Sequence, residues 1–237
     1  MKVLAIESAT PASSVAVGED GKLAGMSVQV DRRGHVGFLG AALDFCFARV
    51  GWDPSDLDAV IVDVGPGLFS GIRAGLATAE GVAAAVGVPL MAATSLDALA
   101  YRAATGRRTI WPIVDARKSE VAVAPYRPVP GGVAKEAEIE LCSFDEFRGM
   151  LESSPEDHLV VGDWEALPSG FLRGMHRVKT GRPRYPSAEI LLELAEQSFA
   201  RFGHPAASAV RPLYLRPPDA AINWSTLRTE GLWPDSA

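Results

Sequence analysis

Apolar and polar positions along this chain follow two periods, and the switches between them mark its elements. Val3 to Ile6 is a continuous apolar run that reads as a strand, Glu7-Ser8-Ala9-Thr10-Pro11-Ala12 as a polar turn, and Ser13 to Val17 as an alternating strand. Gly18-Glu19-Asp20-Gly21 reads as a hairpin turn, since glycine supplies the positive φ such turns need. A third strand, Leu23 to Val30, follows. Helical spacing of Val36, Leu39, Leu43, Cys46, Phe47 and Val50 predicts a helix over about His35 to Val50. Asp58 to Asp63 reads as a buried strand, a glycine-rich loop opens a helix over about Phe69 to Val86, and Pro89 to Ala93 is another strand. Thr94-Ser95-Leu96-Asp97 has the form of a capping box at the start of a third helix. The order is βββαβαβα.

The second half repeats that order. Ile110 to Val114 is an apolar strand ending on Asp115, as the first strand ends on Glu7. Ala116-Arg117-Lys118-Ser119 is a polar turn, Val121 to Tyr126 an alternating strand, Pro130-Gly131-Gly132 a turn and Lys135 to Leu141 a third strand. Ser143-Phe144-Asp145-Glu146 is a capping box before a short helix, Leu159 to Gly162 a strand, Met175 to Val178 a further strand, and Ser187 the cap of a helix to about Arg201. A duplicated α/β fold of two similar subdomains, residues 1–105 and 106–237, is predicted, each with a mixed sheet; the boundary falls in Ala103-Ala104-Thr105-Gly106-Arg107-Arg108.

Composition adds limits. Of 237 residues, 48% are hydrophobic and 22% charged, the balance of a chain that buries a sizeable core. No apolar run approaches the ~20 residues of a membrane span, and Glu7 ends the first one too early for a secretory signal, so a cytoplasmic protein without a membrane partner is expected. Cys46 and Cys142 sit in no CxxC and beside no histidine, and read as buried reduced thiols. The net charge of −6 argues against a primary nucleic-acid binder and leaves tRNA contact at most indirect.

The duplicated order resembles the fold shared by actin, sugar kinases and heat-shock chaperones. Those proteins bind ATP between their halves, with acid-ended hairpins facing phosphates and metal. Glu7, Thr10 and Asp115 are the vestigial nucleotide-loop candidates by that likeness. The most specific stretch is Val64-Gly65-Pro66-Gly67-Leu68-Phe69-Ser70-Gly71-Ile72-Arg73-Ala74-Gly75, following a strand and opening a helix. Anion binding at the helix start is the natural first reading. However, there is no Gly-Lys-Ser/Thr, and the strand after the helix does not end on an acid, so neither a P-loop nor a dinucleotide site fits well. A tight turn in which glycines let two backbones approach is the other reading.

That stretch resembles the GPGSFTGLRIG signature of the TsaB family. The likeness continues through Thr94-Ser95-Leu96-Asp97-Ala98-Leu99-Ala100, Val114-Asp115-Ala116-Arg117 to Val121, and Pro212-Leu213-Tyr214-Leu215-Arg216, and spans nearly the whole chain. Glu7 stands where the family usually has Asp, Leu68 replaces a Ser and Ser70 a Thr. The resemblance implies a non-catalytic accessory subunit. It would bind and activate a TsaD-like threonylcarbamoyl transferase, which forms threonylcarbamoyladenosine in tRNAs reading codons that begin with A, with a small ATPase, TsaE, completing the complex. It implies no cofactor beyond weak ATP or ADP binding at the complex interface, and a homodimer when the partner is missing. TsaD binds metal through an H-x-x-x-H pair; of His35, His158, His176 and His204 no two are four apart.

Two helices have the character of a partner surface. Phe38 and Phe45 lie on a different side of the first helix from its apolar stripe, and the second is built of small residues with Arg73 and Glu80 its only charges. Val36, Phe38, Leu39, Ala42, Phe45, Phe69, Ile72, Arg73 and Leu76 are the expected interface residues; burial of these helices by the chain itself is the second reading. The basic stretch Arg173, His176, Arg177, Lys179, Arg182 and Arg184 reads first as a solvated loop and second as a tRNA contact. Rival functions remain an ATP-dependent phosphotransferase using Glu7 and Asp115, and a peptidase, for which no HExxH or evident Ser–His pairing is present.

Overall fold

The computed structural model describes residues 1–32, 34–203 and 210–216; His204, Trp224, Trp233 and the tail from Pro217 lie outside the described residues. The first half runs β1 (Lys2–Glu7), β2 (Ala12–Glu19), β3 (Lys22–Val30), α1 (His35–Val50), β4 (Ala59–Asp63), α2 (Phe69–Val86), β5 (Leu90–Ala93) and α3 (Ser95–Ala103). The second runs β6 (Thr109–Asp115), β7 (Glu120–Val123), β8 (Tyr126–Val129), β9 (Gly132–Lys135), β10 (Glu140–Ser143), α4 (Phe144–Ser153), β11 (His158–Gly162), β12 (Val178–Thr180) and α5 (Ala188–Phe202). The first sheet has the order β3-β2-β1-β4-β5 and the second the path β10-β7-β6-β11-β12, which is the same third-second-first-fourth-fifth order. The duplication expected from the strand–acid–turn–strand openings is therefore present in the topology.

Local signals account for most element ends. Asp20 and Gly21 have φ of 51° and 71° in the β2–β3 turn, the left-handed pair a two-residue hairpin requires. Thr94 with Asp97, and Ser143 with Glu146, form reciprocal capping boxes on α3 and α4. Gly51 and Gly87 close α1 and α2 in the left-handed conformation.

Three expectations are corrected. The strand expected over Val121 to Tyr126 is two strands, β7 and β8. β6 pairs with β7 at Ile113–Asp115 and with β8 at Ile110. Pro112, which has no N–H to give to a ladder, lies at the changeover. The third strand expected over Lys135 to Leu141 is also divided. Gly132–Lys135 turns back on β8 as a hairpin, and Glu140–Ser143 pairs β7. Ser187 stands at the N-cap of α5 but its side chain caps nothing; the Ala188 amide donates instead to Ser14 Oγ, at 2.8 Å, a buried acceptor on β2.

The halves exchange their last helices. One face of the first sheet is covered by α1 and α2, with Leu4, Ile6, Val15, Val17, Leu39, Cys46, Leu76 and Ala79 buried between them. The other face is covered by α5 from the second half, through Ile190, Leu191, Leu192 and Ala195 against Val3, Ala5, Ala16 and Ile61. In return α3 of the first half packs on β6 and β11, with Leu96, Leu99 and Ala103 against Ile110, Val114 and Val161. A segment of residues 1–105 alone leaves the second face of its sheet bare. That fragment is expected to show no cooperative thermal transition by circular dichroism, whereas the whole chain melts in one. A sharp melt of the fragment would show that its sheet does not need α5.

Candidate functional site

The glycine-rich stretch is shaped by one close approach. The turn after β1 carries Ser8 and Ala9, and the start of α2 lies directly on it. A Cβ at Gly67 would sit 2.0 Å from the Ala9 carbonyl oxygen, and one at Gly71 would sit 2.0 Å from that of Ser8. These are backbone atoms with no room to give, so only glycine fits at either position. The approach is bonded as well as close. Leu68 N–H donates to Ala9 O at 2.6 Å and Ser8 Oγ donates to Gly71 O at 2.8 Å. An amide at the entry of α2, which the anion reading needs for a phosphate, is thus spent on the protein's own carbonyl.

The space beside this contact, between Thr10, Gly67 and Leu68 on one side and Val114, Asp115 and Asp163 on the other, measures about 10 Å³. That is the room of a single water. Glu7 and Thr10 are buried. Glu7 Oε1 accepts from the Ala9 and Thr10 amides at 3.0 and 3.3 Å and from Thr10 Oγ1 at 3.3 Å, so the acid ties down its own turn. Asp115 does the same in the second half, accepting from Arg117 N–H at 2.8 Å. There Arg117, Lys118 and Ser119 hold φ of 61°, 53° and 61°, a left-handed run that costs non-glycine residues of order 1–3 kcal/mol each. Thr10 and Asp115 are therefore brought to one small space, whereas Glu7 is buried beneath its own turn. A larger cleft of about 480 Å³ opens next to them, and Asp31, Asp115, Asp163 and Glu165 line it with Arg32 and Arg184.

Asp63 was not singled out by its sequence. The signal available was that β4, like β1 and β6, ends on an acid. It is buried, accepts from Gly65 N–H at 2.7 Å and from Ser95 Oγ at 2.8 and 2.9 Å, and anchors both the glycine loop and α3. Burial pushes Asp63 up to about 7. Burial, reinforced by the Asp63 charge, holds Glu7 well above the ordinary carboxylate range; Glu7 Oε2 has no hydrogen-bond partner among the described residues. A Ser–His contact also exists: Ser13 Oγ lies 2.7 Å from His35 Nδ1. Both side chains are buried, so the pair presents no nucleophile to a substrate. Among the described residues no cluster of three or more His, Cys, Asp or Glu converges as a metal site.

The two candidate helices lie side by side on the first sheet. Leu39, Ala42, Ile72 and Leu76, expected on the partner face, are buried in the chain's own core; their i, i+3, i+4 spacing serves the sheet. Phe38 is half-buried against the same core. Val36, Phe45 and Phe69 are exposed, at 78%, 50% and 45%, and Arg73 is exposed beside Phe69. The Arg73 guanidinium carbon lies 3.7 Å from the Phe69 ring centre, and Arg73 Nε donates to the Tyr214 hydroxyl at 2.9 Å. The Tyr214 ring lies tilted against Phe69, with ring centres 5.1 Å apart. It belongs to a strap, residues 210–216, that bridges the halves. Leu213 N–H donates to Val64 O at 2.8 Å, while Arg216 pairs with Glu120 and donates to Ala116 O at 3.3 Å.

The chain resembles known proteins in sequence and in fold. The family model described as TsaD, tRNA N6-adenosine threonylcarbamoyltransferase, matches residues 22–160. The chain is 29% identical over 220 residues to the tRNA threonylcarbamoyladenosine biosynthesis protein TsaB of Escherichia coli (strain K12), covering 91% of this chain and 95% of that protein. It is 26% identical over 244 residues to the Haemophilus influenzae protein of the same name, covering 96% and 97%. Among solved structures, a Pseudomonas aeruginosa protein with similarity to peptidase YeaZ superposes with a TM-score of 0.76 at 26% identity, covering 91% of this chain and 99% of that one.

The buried acids make stability depend on pH. An unfolded aspartate releases its proton near 3.8, whereas folded Asp63 keeps it to about 7, and Glu7 shifts in the same direction. The folded state thus binds the extra proton between those values. Its contribution is complete below pH ~4 and is lost as pH rises through ~7. Glu7→Gln keeps the accepting oxygen and removes one charge. It is expected to lose less stability than wild type as pH rises from 5 to 8, in urea unfolding. Identical pH profiles for the two proteins would show that no proton is held there.

Proposed function

This chain belongs to the TsaB family, among the TsaD-related proteins of tRNA threonylcarbamoyladenosine biosynthesis, and from that premise we propose that it is a non-catalytic accessory subunit that binds and activates a TsaD-like transferase. The observation that carries this reading is a set of glycines without an internal use. Among the described residues, Gly37 and Gly40 on α1 and Gly81 on α2 have nothing within 4 Å of where a Cβ would stand. Glycine inside a helix costs about 1 kcal/mol relative to alanine. Gly71 offsets that cost through the contact with Ser8; these three have no such contact among the described residues. Helices that keep small residues on an open face allow another helix to approach closely. Val36, Phe45 and Phe69, exposed on the same pair of helices, provide apolar anchors around that approach, and Arg73 a charged one.

The closed space beside Glu7 and Leu68 supports an accessory role over ATP-dependent phosphotransfer in the isolated chain. The burial of Ser13 and His35 removes support from the peptidase reading. An activator needs no reactive group. Binding only the active conformer of the transferase raises that conformer's population. The same face pairs two copies of the chain when the partner is missing. A TsaE-like ATPase completes the assembly, and any ATP or ADP binds weakly, at the interface of the complex.

The test uses opposing signs. Gly40→Ala and Gly81→Ala are each expected to stabilise the isolated chain by roughly 0.5–1 kcal/mol while weakening its association with a TsaD-like transferase at least tenfold by calorimetry. Phe45→Asp should stay folded and lose association, and Arg73→Glu should weaken it, whereas Ser70→Ala should leave it intact. Phe38→Asp should destabilise the fold itself. Wild-type affinity in Gly40→Ala, Gly81→Ala and Phe45→Asp together would remove these helices from the interface.

In cells, depletion of the chain should lower threonylcarbamoyladenosine in digested tRNA measured by mass spectrometry, with excess transferase failing to restore it fully. Normal modification after complete depletion would refute the accessory role. Pure chain is expected to turn over no ATP.

A further inference from the structure

A second cavity lies away from the helix face and has the opposite character to the acidic cleft beside it. It measures about 470 Å³ and is built where the halves meet. Its floor is the α5-side face of β2 and β3, where Val28 and Val30 are 55% and 65% exposed. Its walls are Arg102, in the last turn of α3, and the segment Arg182 to Ser187 that leads into α5. Three arginines line it and no carboxylate does, among the described residues. Arg184 is held by Glu165 and stands over the Tyr185 ring at 5.5 Å. Arg102 and Arg182 are exposed and have no ion-pair partner among the described residues. The α5 N-terminus adds its positive end at Ser187, whose side chain caps nothing.

In a chain of net charge −6, two unpaired guanidiniums gathered at one opening are complementary to an anion. Guanidinium forks match phosphate oxygens in pairs. The floor of valines beside a tyrosine suits the flat, weakly polar face of a ring, and the volume lies within the range of small-ligand sites, about 300–1,000 Å³. We propose that this cavity binds a nucleotide unit, its phosphate on Arg102 and Arg182 and its base over Val28 and Val30. The unit is supplied either by a free nucleotide or by an RNA strand. The site is distinct from the closed space at Glu7, and the inference does not depend on the partner reading, because it concerns the isolated chain.

The experiment titrates the full chain with two probes, a fluorescein-labelled single-stranded RNA oligonucleotide followed by anisotropy, and adenosine monophosphate followed by calorimetry. Arg102→Glu and Arg182→Glu are each expected to weaken binding about tenfold or more, with circular dichroism unchanged because both side chains are exposed. Arg49→Glu, the same charge change on α1, should weaken it far less. RNA binding that adenosine monophosphate does not displace identifies the strand as the source; direct binding of the mononucleotide with the same arginine dependence identifies the free ligand. Failure of the wild-type chain to bind either probe, or equal losses in Arg49→Glu and the two cavity variants, would overturn the proposal.

Discussion

The contact between the start of α2 and the turn after β1 holds the rest of the first half in place. Ser8 and Ala9 offer their carbonyls, and Gly71 and Gly67 bring the helix backbone within reach of them. Any side chain at either glycine would push α2 away from the sheet. The two buried acids then organise what surrounds the contact. Glu7 gathers the amides of the turn, and Asp63 gathers Gly65 and Ser95.

That contact separates two roles for glycine within one pair of helices. On the inner side, glycine serves a contact within the chain. On the outer side, Gly37, Gly40 and Gly81 face open space among the described residues, at a cost in helix propensity that no contact among those residues offsets. The asymmetry directs attention outward, to a surface where Val36, Phe45 and Phe69 also remain uncovered. The strap of residues 210–216 reaches this surface through Tyr214 and the second half through Arg216. The Phe69–Arg73–Tyr214 cluster is therefore connected to the relative placement of the halves.

The exchange of α3 and α5 has a similar consequence for the molecule as a whole. Each sheet is open on one face until the other half supplies a helix, so burial of apolar surface in one half requires the other. The seam between them is where the two clefts form. One is lined with Asp31, Asp115, Asp163 and Glu165, and the other with Arg102, Arg182 and Arg184. The first cleft also holds Arg32 and Arg184, and Arg184 is common to both.

Sequence alone determined the elements wherever local chemistry decides them. The limits of α1 and α2, the Asp20-Gly21 hairpin, the capping boxes at Thr94 and Ser143, and the βββαβαβα order of the first half were all legible, because hydrophobic period, glycine conformation and side-chain capping act within a few residues. The family was legible too, from motifs in order along the chain. What only tertiary structure decided depends on partners distant in sequence. The division of the strand at Val121 to Tyr126 follows the changeover on β6 at Pro112. The cap of α5 comes from Ser14 on another sheet strand. Leu39, Ala42, Ile72 and Leu76 could not be told from Phe45 and Phe69 by apolarity, since a helical stripe does not say which face meets the sheet. The difference between Gly71 and Gly40 was equally hidden: one letter stands for a residue pressed against a carbonyl and for one facing open space, and only the packing of β1 beneath α2 distinguishes them.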